Sequence, residues 1–302
     1  MTNPVSSGSV QAKSTHHWQP GSCARQPRML NGFLNAIELE ATECRHHADA
    51  FARLRGGELQ AVIVHGVYAP EVLHAAVEKL ERRDPPFLQT WFPEKFRSWF
   101  YGRNLNLSHP ALDGYFDEAA QFHAQLEQLL PGALGLVPHL GALLAQLDGG
   151  RAFLPAPGPA AGKHYMFTTL RAHMEGGYIP PHFDNEQTLR PTYRHLHKVV
   201  ELHMTSFVLA LTQAEGGGAL EVFDHVEQPA EARMLSDDRV AEKPDVARFD
   251  SVSFRLPAGS LIVLDSGRYL HRLTPVSGTR KRWTACSFMA LSRNRDATYC
   301  WG

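Results

Sequence analysis

The sequence predicts a mostly β fold with α-helices, in which helices of the N-terminal half pack on a C-terminal jelly-roll core. Two observations predict this arrangement. Between residues 31 and 150, long segments carry apolar residues at helical spacing. Between residues 164 and 292, short β-type runs alternate with GG, GGG, PAG and SGT turns, which is typical of an antiparallel sandwich or barrel. Residues 31–302 are therefore interpreted as a single domain.

The elements follow from local patterns. Residues 1–30 are polar and rich in Ser, Gln and Pro, which predicts a poorly ordered tail. Residues 34–54 have a helical pattern that ends at a Gly pair. The remaining predicted elements of the N-terminal half are a strand at 61–67, a helix that begins at Pro70, and helices at 112–130 and 139–147. Residues 148–163 are rich in Gly, Pro and Ala and predict a connector to the β region.

Composition excludes several classes of protein. The 302 residues hold 30 Lys and Arg against 31 Asp and Glu, for a net charge of −1. That balance argues against nucleic acid or membrane partners held by bulk charge. No CxxC pair occurs, so the four cysteines are interpreted as free thiols of a reducing compartment. No signal-peptide-like or membrane-spanning apolar stretch is found, so a cytoplasmic location is expected.

A His-x-acid pair on a strand turns both side chains to the same face, where they can bind one metal ion. The 17 histidines make such pairs common, and composition alone predicts about 1.7 of them. The sequence contains four: His47/Asp49, His173/Glu175, His182/Asp184 and His225/Glu227. The first lies in a helical pattern, where positions i and i+2 do not face each other. Neither the second nor the last has a suitable downstream context, so these three pairs are interpreted as structural or solvated.

His182/Asp184 has the context that the others lack. It follows EGGYIPP, a bend that directs the pair into the mouth of a barrel, and His271 closes a strand-turn unit further along. Two imidazoles and one carboxylate occupy one face of an octahedral Fe(II) and leave positions open for a bidentate co-substrate and dioxygen. His182, Asp184 and His271 are therefore the predicted metal ligands and catalytic residues.

An arginine near the start of the last long strand completes the predicted site. Arg280 is placed to bind the distal carboxylate of a dicarboxylate co-substrate through its guanidinium. Arg282 and Thr284 alternate on the same face, and Arg282 is the next candidate for this role.

These motifs, in this order, resemble the Fe(II)/2-oxoglutarate-dependent dioxygenase superfamily. The motifs are RxHMEGG…PHFDN, LxLTxxxGGGxL and GSLIVLDSG…HRLTPVxxGTR. The resemblance implies a double-stranded β-helix, the cupin-like jelly roll, with Fe(II) and 2-oxoglutarate as cofactor and co-substrate. The stretches YGRNLNLSHPALDGYF, TLRAHMEGGYIPPHFDN and EGGGALEVFDHVEQP resemble a narrower branch. That branch holds freestanding aliphatic halogenases of indole alkaloids and hydroxylases of N-substituted amino acids.

One residue departs from the halogenase pattern. In the halogenases a small residue stands where this sequence has Asp184, which leaves a coordination position for chloride. The resemblance therefore implies hydroxylation of an aliphatic C–H bond of a small amino-acid-like or natural-product substrate by dioxygen, with release of succinate and CO2. The same residues also serve desaturation and ring closure.

Three other functions are compatible with parts of the pattern. They are a cupin-like metalloenzyme of different chemistry, a non-catalytic jelly-roll binding module, and a protein-directed prolyl-hydroxylase-like enzyme. Arg280 beside a complete two-His, one-Asp set argues against the first of these. Six further residues are candidates for contact with the substrate: Tyr193, His195, His197, Trp99, Tyr101 and Arg103. Their positions favour solvated loop residues or supporting side chains.

Overall fold

Two β-sheets packed face to face form the centre of the protein. The computed structural model describes residues 13–19, 26–105, 112, 114–185, 190–226 and 244–302. The strands, in chain order, are β1 (Thr15–His17), β2 (Arg28–Leu30), β3 (Leu34–Glu40), β4 (Ala61–His65), β5 (Gln89–Trp91), β6 (Ser98–Tyr101), β7 (Ala152–Pro155), β8 (Thr169–His173), β9 (Ile179–His182), β10 (Thr205–Ala210), β11 (Gly216–Gly217), β12 (Leu220–Val226), β13 (Ser251–Phe254), β14 (Leu261–Leu264), β15 (Tyr269–Leu273), β16 (Val276–Ser277), β17 (Arg282–Leu291) and β18 (Ala297–Trp301). The α-helices are α1 (Ala50–Gly56), α2 (Pro70–Arg82), α3 (Tyr115–Leu129), α4 (Leu136–Gln146) and α5 (Leu196–Val199).

The strand order confirms the predicted jelly roll. One sheet has the order β1-β13-β12-β15-β9. The larger sheet has the order β2-β3-β4-β14-β10-β17-β8-β6-β5, and β18 extends it between β17 and β7. From β8 onward the chain passes repeatedly from one sheet to the other, which is the double-stranded β-helix arrangement. Closing two sheets in this way leaves a space between their inner faces at one end.

Apolar side chains hold the two sheets together. Ile63 and Ile262 of the larger sheet pack with Val222 and Val252 of the smaller one, and all four are fully buried. Close packing of such side chains is the main stabilising contribution to a sandwich of this kind. The polar residues of the inner faces are concentrated at the open end.

The helices cover the outer face of the larger sheet. α2 begins at Pro70, as predicted, and buries Leu73, Ala76 and Leu80 against the sheet. α3 and α4 match the other two predicted helices and bury Phe122 and Leu140. None of the helices in the described ranges is long and apolar enough to cross a membrane.

The N-terminal region differs from the sequence prediction. Thr15–His17 pairs in parallel with β13 and Arg28–Leu30 pairs with β3, although both segments lie in the predicted disordered tail. Leu34–Glu40, predicted as the start of a helix, is a strand beside β4, and only Ala50–Gly56 of that segment is α-helical. The strand is buried on both faces, and a short apolar run of that kind has no strict alternation to distinguish it from a helix.

A buried histidine ties α3 to the chain that leads into β8. The backbone N–H of Phe167 donates to Nε2 of His123 at 2.9 Å. Burial, with a contribution from nearby His164, lowers the pKa of His123 from 6.5 to about 4. The folded protein therefore favours the neutral form of the His123 ring.

We expect this histidine to make stability depend on pH. Between pH 6.5 and 4 the unfolded chain takes up the proton before the folded chain does, so stability is complete above pH 6.5 and falls below it. The loss approaches about 3 kcal/mol near pH 4. Urea unfolding of His123→Gln across this range should show a shallower pH dependence than the wild type. His74→Gln, at an exposed position of α2, is the control, and parallel curves for His123→Gln and the wild type would contradict the assignment.

Candidate metal centre

Two histidines from neighbouring strands lie side by side at the open end of the smaller sheet. β9 and β15 are antiparallel, and their register places His182 directly opposite His271. Side chains opposite each other on antiparallel strands share a face. The two imidazole centroids are 4.3 Å apart as a result.

Asp184 joins the two histidines from just beyond the end of β9. Its backbone N–H donates to the carbonyl of Ser266 at 3.0 Å, which fixes the chain after the strand. Oδ1 of Asp184 lies 3.4 Å from Nε2 of His182 and 3.7 Å from Nε2 of His271. A side chain on neighbouring Gly267 would collide with Asn185 and with the backbone of residue 204, so only glycine allows the close approach of this turn to the site.

Backbone carbonyls set the tautomer of both rings. Nδ1 of His182 lies 2.9 Å from the carbonyl oxygen of Pro180, and Nδ1 of His271 lies 2.9 Å from that of Tyr269. A carbonyl only accepts hydrogen bonds, so Nδ1 carries the proton in each ring. In the neutral rings the lone pair is therefore on Nε2, the atom that faces Asp184.

The carboxylate is ionised in this setting. Asp184 is 2% exposed, and burial alone would raise its pKa. Nearby His271 and His182 outweigh that effect and lower the pKa below its ordinary value. A negatively charged oxygen and two imidazole nitrogens thus converge on one point.

These three side chains fit a single metal ion. One ligand atom from each of His182, Asp184 and His271 lies within 4.8 Å of the other two. Ligands about 2.1 Å from a first-row metal ion, in neighbouring octahedral positions, lie about 3 Å apart. Two imidazoles and one carboxylate are the donor set of mononuclear Fe(II) oxygenases, and the open face of the set looks into the barrel.

The space in front of the three side chains is a cavity between the sheets. It has a volume of about 80 Å³ and opens to solvent on one side. The larger sheet contributes its far wall through alternate residues of β8 and β17, where Thr284 lies opposite Arg171 and Cys286 opposite Thr169. The polar side chains that line it include Thr169, Arg171, Arg272, Arg282, Thr284 and Cys286.

The structure does not bring Arg280 to this cavity. Arg280 is exposed in the bend that precedes β17, and it is absent from the cavity lining. Arg282, the first residue of β17, is 8% exposed and lines the cavity. The alternation that turns side chains inward begins only where the strand begins, which is the physical reason for the difference.

The other sequence candidates have supporting positions. Tyr193 is buried with its ring against Trp301, and His195 stacks on Tyr165. Arg103 pairs with Glu118, and Trp99 and Tyr101 are buried against Trp283. None of these six candidates, His197 included, is among the described residues that line the cavity.

Two cavity residues are not among the predicted site residues, although a pattern in the sequence indicates them. Arg171 and Thr169 lie two residues apart, before the GG bend that leads to His182. Strand alternation from that bend backward would have placed both on the inner face. For the other His-x-acid pairs, His173 is buried opposite Arg282, His47 ends a 3-10 helix, and Glu227 lies outside the described residues.

Fold and donor set together define an enzyme of the Fe(II)- and 2-oxoglutarate-dependent oxygenase class. Residues 33–302 match the family model described as carrier-protein-independent halogenase WelO5. The match covers most of the chain, so the protein belongs to that family. A search of the curated proteins returned no match.

Three solved structures are similar to this chain, and the one with a TM-score above 0.5 has the same fold. An N-substituted L-amino acid dioxygenase from Burkholderia ambifaria has a TM-score of 0.51 at 13% identity, over 84% of this chain and 91% of that one. A 2OG-Fe(II) oxygenase family oxidoreductase from Burkholderia pseudomallei has a TM-score of 0.45 at 13% identity, over 94% and 99%. A Pseudomonas putida prolyl-4-hydroxylase has a TM-score of 0.39 at 17% identity, over 79% and 95%.

We expect the three converging side chains to bind one Fe(II). Anaerobic titration calorimetry should give one equivalent for the wild type, because two imidazoles and a carboxylate are already oriented toward one point. His182→Ala and His271→Ala should each weaken binding by at least about a hundredfold, since loss of even an outer partner costs ten- to a hundredfold. His225→Ala, from another His-x-acid pair, is the control, and unchanged affinity in either site variant would exclude that residue as a ligand.

Proposed function

We propose that the protein hydroxylates an aliphatic C–H bond of a small amino-acid-like or natural-product substrate, using dioxygen and 2-oxoglutarate and releasing succinate and CO2. The observation that carries this proposal is the position of Asp184. Its carboxylate lies 3.4 and 3.7 Å from the two histidine nitrogens, where a halogenase keeps a small residue and a halide. A filled carboxylate position favours transfer of oxygen over transfer of halogen.

Each residue of the proposed centre has a separate task. His182, Asp184 and His271 would hold Fe(II), and the carbonyls of Pro180 and Tyr269 keep both rings in the ligating tautomer. Bound Fe(II) and 2-oxoglutarate supply the oxidising chemistry. The protein's further work is to orient the co-substrate, limit access of water and hold one C–H bond near the metal.

Arg282 is the residue that we propose for the distal carboxylate of 2-oxoglutarate, in place of Arg280. Its guanidinium is buried on the wall that faces the three ligands, and no acidic side chain among the described residues pairs with it. Thr284, two residues further along the same face, accepts a hydrogen bond from the Cys286 thiol at 3.3 Å. Its hydroxyl proton is therefore available to the same carboxylate.

We expect Arg282→Leu to raise the apparent KM for 2-oxoglutarate at least about tenfold. The change leaves a carboxylate without its charged partner in a buried pocket, at a cost of about 2–5 kcal/mol. Arg280→Leu removes the same charge from an exposed position and should leave this KM near the wild-type value. Succinate formation at varied 2-oxoglutarate concentrations measures both. The reverse order of effects would restore Arg280 as the co-substrate residue.

We expect the identity of residue 184 to determine the reaction. A panel of N-acyl and free amino acids, screened for succinate formation with excess chloride or bromide, should give hydroxylated products with the wild type. Asp184→Gly removes one ligand and one negative charge, so iron affinity and coupled hydroxylation should both fall sharply. Product mass spectrometry distinguishes the outcomes. A halogenated product from the wild type, or wild-type hydroxylation by Asp184→Gly, would contradict the proposal.

A further inference from the structure

We propose that the substrate of this cavity carries a carboxylate group and that Arg171 binds it. This inference rests on the proposed function, because the cavity is the same one. The proposed substrate class is a carboxylic acid, and Arg171 is the residue that selects it.

Among the described residues, no carboxylate pairs with Arg171 in the cavity. Its guanidinium carbon lies 4.6 Å from the ring centroid of Phe100 and 5.6 Å from that of Phe92. These rings support the guanidinium through cation-π contact, but they do not neutralise it. Nε of Arg171 is buried and has no hydrogen-bond partner in the described part of the protein.

A second cavity arginine shows the contrast. Arg272 lines the same cavity, and its Nε donates to a carboxylate oxygen of Glu221 at 2.6 Å. An enclosed cation without such a partner costs several kcal/mol, so a protein normally supplies an anion of its own. For Arg171 the chain supplies none among the residues described, which leaves a ligand as the source.

A count of the charges shows that 2-oxoglutarate alone does not neutralise the arginines of the cavity. Asp184 contributes one negative charge and Fe(II) two positive charges, while 2-oxoglutarate brings two negative charges. Arg171 and Arg282 add one positive charge each, and Arg272 with Glu221 adds none. The loaded cavity therefore keeps one excess positive charge, which a carboxylate on the substrate neutralises.

His173 does not change this count. It is fully buried opposite Arg282 on the inward face of β8, and burial, together with Arg282 and Arg171, lowers its pKa well below the ordinary value. The ring is therefore neutral.

The position of Arg171 also suits the substrate better than the distal end of the co-substrate. Along the paired strands, Arg282 lies opposite His173, whereas Arg171 lies one inward-facing position further along, opposite Thr284. Burial lowers the pKa of Arg171, and Cys286 and Asp184 oppose that effect. Asp184 is therefore close enough to act on the charge of Arg171, which agrees with a position of this guanidinium near the metal ligands.

A hydroxyl group stands beside Arg171 on the same wall. Thr169 is 1% exposed and lines the cavity, and its Oγ1 is buried without a hydrogen-bond partner in the described part of the chain. Thr169 and Arg171 are alternate residues of β8, so both face inward. A carboxylate bound here would receive hydrogen bonds from a guanidinium and a hydroxyl, as buried polar groups require.

The test compares acids with their neutral amides. Twenty N-acetyl-L-amino acids and the twenty matching primary amides are titrated anaerobically into wild-type protein loaded with Fe(II) and 2-oxoglutarate, with binding followed by calorimetry. We expect one or more acids to bind, each at least about thirtyfold more tightly than its amide, the equivalent of about 2 kcal/mol. Equal affinity for acids and amides, or no binding of any acid, would overturn the inference.

Variants assign the preference to one residue. Arg171→Met should abolish the difference between acid and amide, and Arg171→Lys should restore part of it because a positive charge remains. Affinity for 2-oxoglutarate should change less than threefold in both variants. Arg280→Met removes an exposed arginine outside the cavity and is the control. An Arg171→Met protein that keeps the acid preference but binds 2-oxoglutarate weakly would make Arg171 a co-substrate residue and refute the inference.

The two proposals fail in different ways. Wild-type protein that binds Fe(II) and 2-oxoglutarate and turns over, but prefers amides, contradicts only the substrate class. Wild-type protein that forms no visible charge-transfer band with Fe(II) and 2-oxoglutarate contradicts the proposed function, and the substrate inference falls with it.

Discussion

The pairing of β9 with β15 is the constraint on which the site depends. The register places His182 opposite His271, and a shift of either strand by one residue would turn its ring to the opposite face of the sheet and separate the two histidines. Each ring is then fixed by a carbonyl of its own strand, two residues earlier. The strand backbone therefore determines both the position and the tautomer of the nitrogens. Asp184 needs only the short continuation past β9 to complete the set.

Uncompensated positive charge is the second feature that shapes the cavity. The larger sheet presents Arg171 and Arg282 to the space between the sheets, and the chain offers neither of them an acid among the described residues. Aromatic support for Arg171 and neutral His173 opposite Arg282 keep the guanidinium groups enclosed without cancelling their charge. Such a wall costs folding free energy that an anionic ligand recovers. In the proposed site the smaller sheet supplies the metal ligands and the larger sheet the anion-binding residues, so only the closed jelly roll would assemble the whole site.

Much of this arrangement is predictable from the sequence. Side chains alternate strictly along a strand whose two faces have different surroundings. The His182/Asp184 spacing, the downstream His271 and the helix from Pro70 all follow from period 2 or period 3.6 patterns. The residues at which strands begin and end do not follow from these patterns, because they depend on which strands pair in the folded protein. Arg280 and Arg282 have the same parity, and only the observed start of β17 separates an exposed residue from a buried one. The strand at Thr15–His17 is likewise decided by β13, which lies more than 200 residues away in the chain.

The family name and the residue at position 184 point to different reactions, and the structure indicates why they are compatible. Halogenase and hydroxylase need the same jelly roll, the same two histidines and the same co-substrate, so a family model that covers residues 33–302 responds to features that both reactions share. In the proposed function, the reaction type depends on one coordination position beside these histidines. Here a buried, ionised carboxylate occupies that position, and its distances of 3.4 and 3.7 Å to the imidazoles leave it as the third ligand. Under the proposed function, this single side chain would separate the chemistry of the protein from the name of its family.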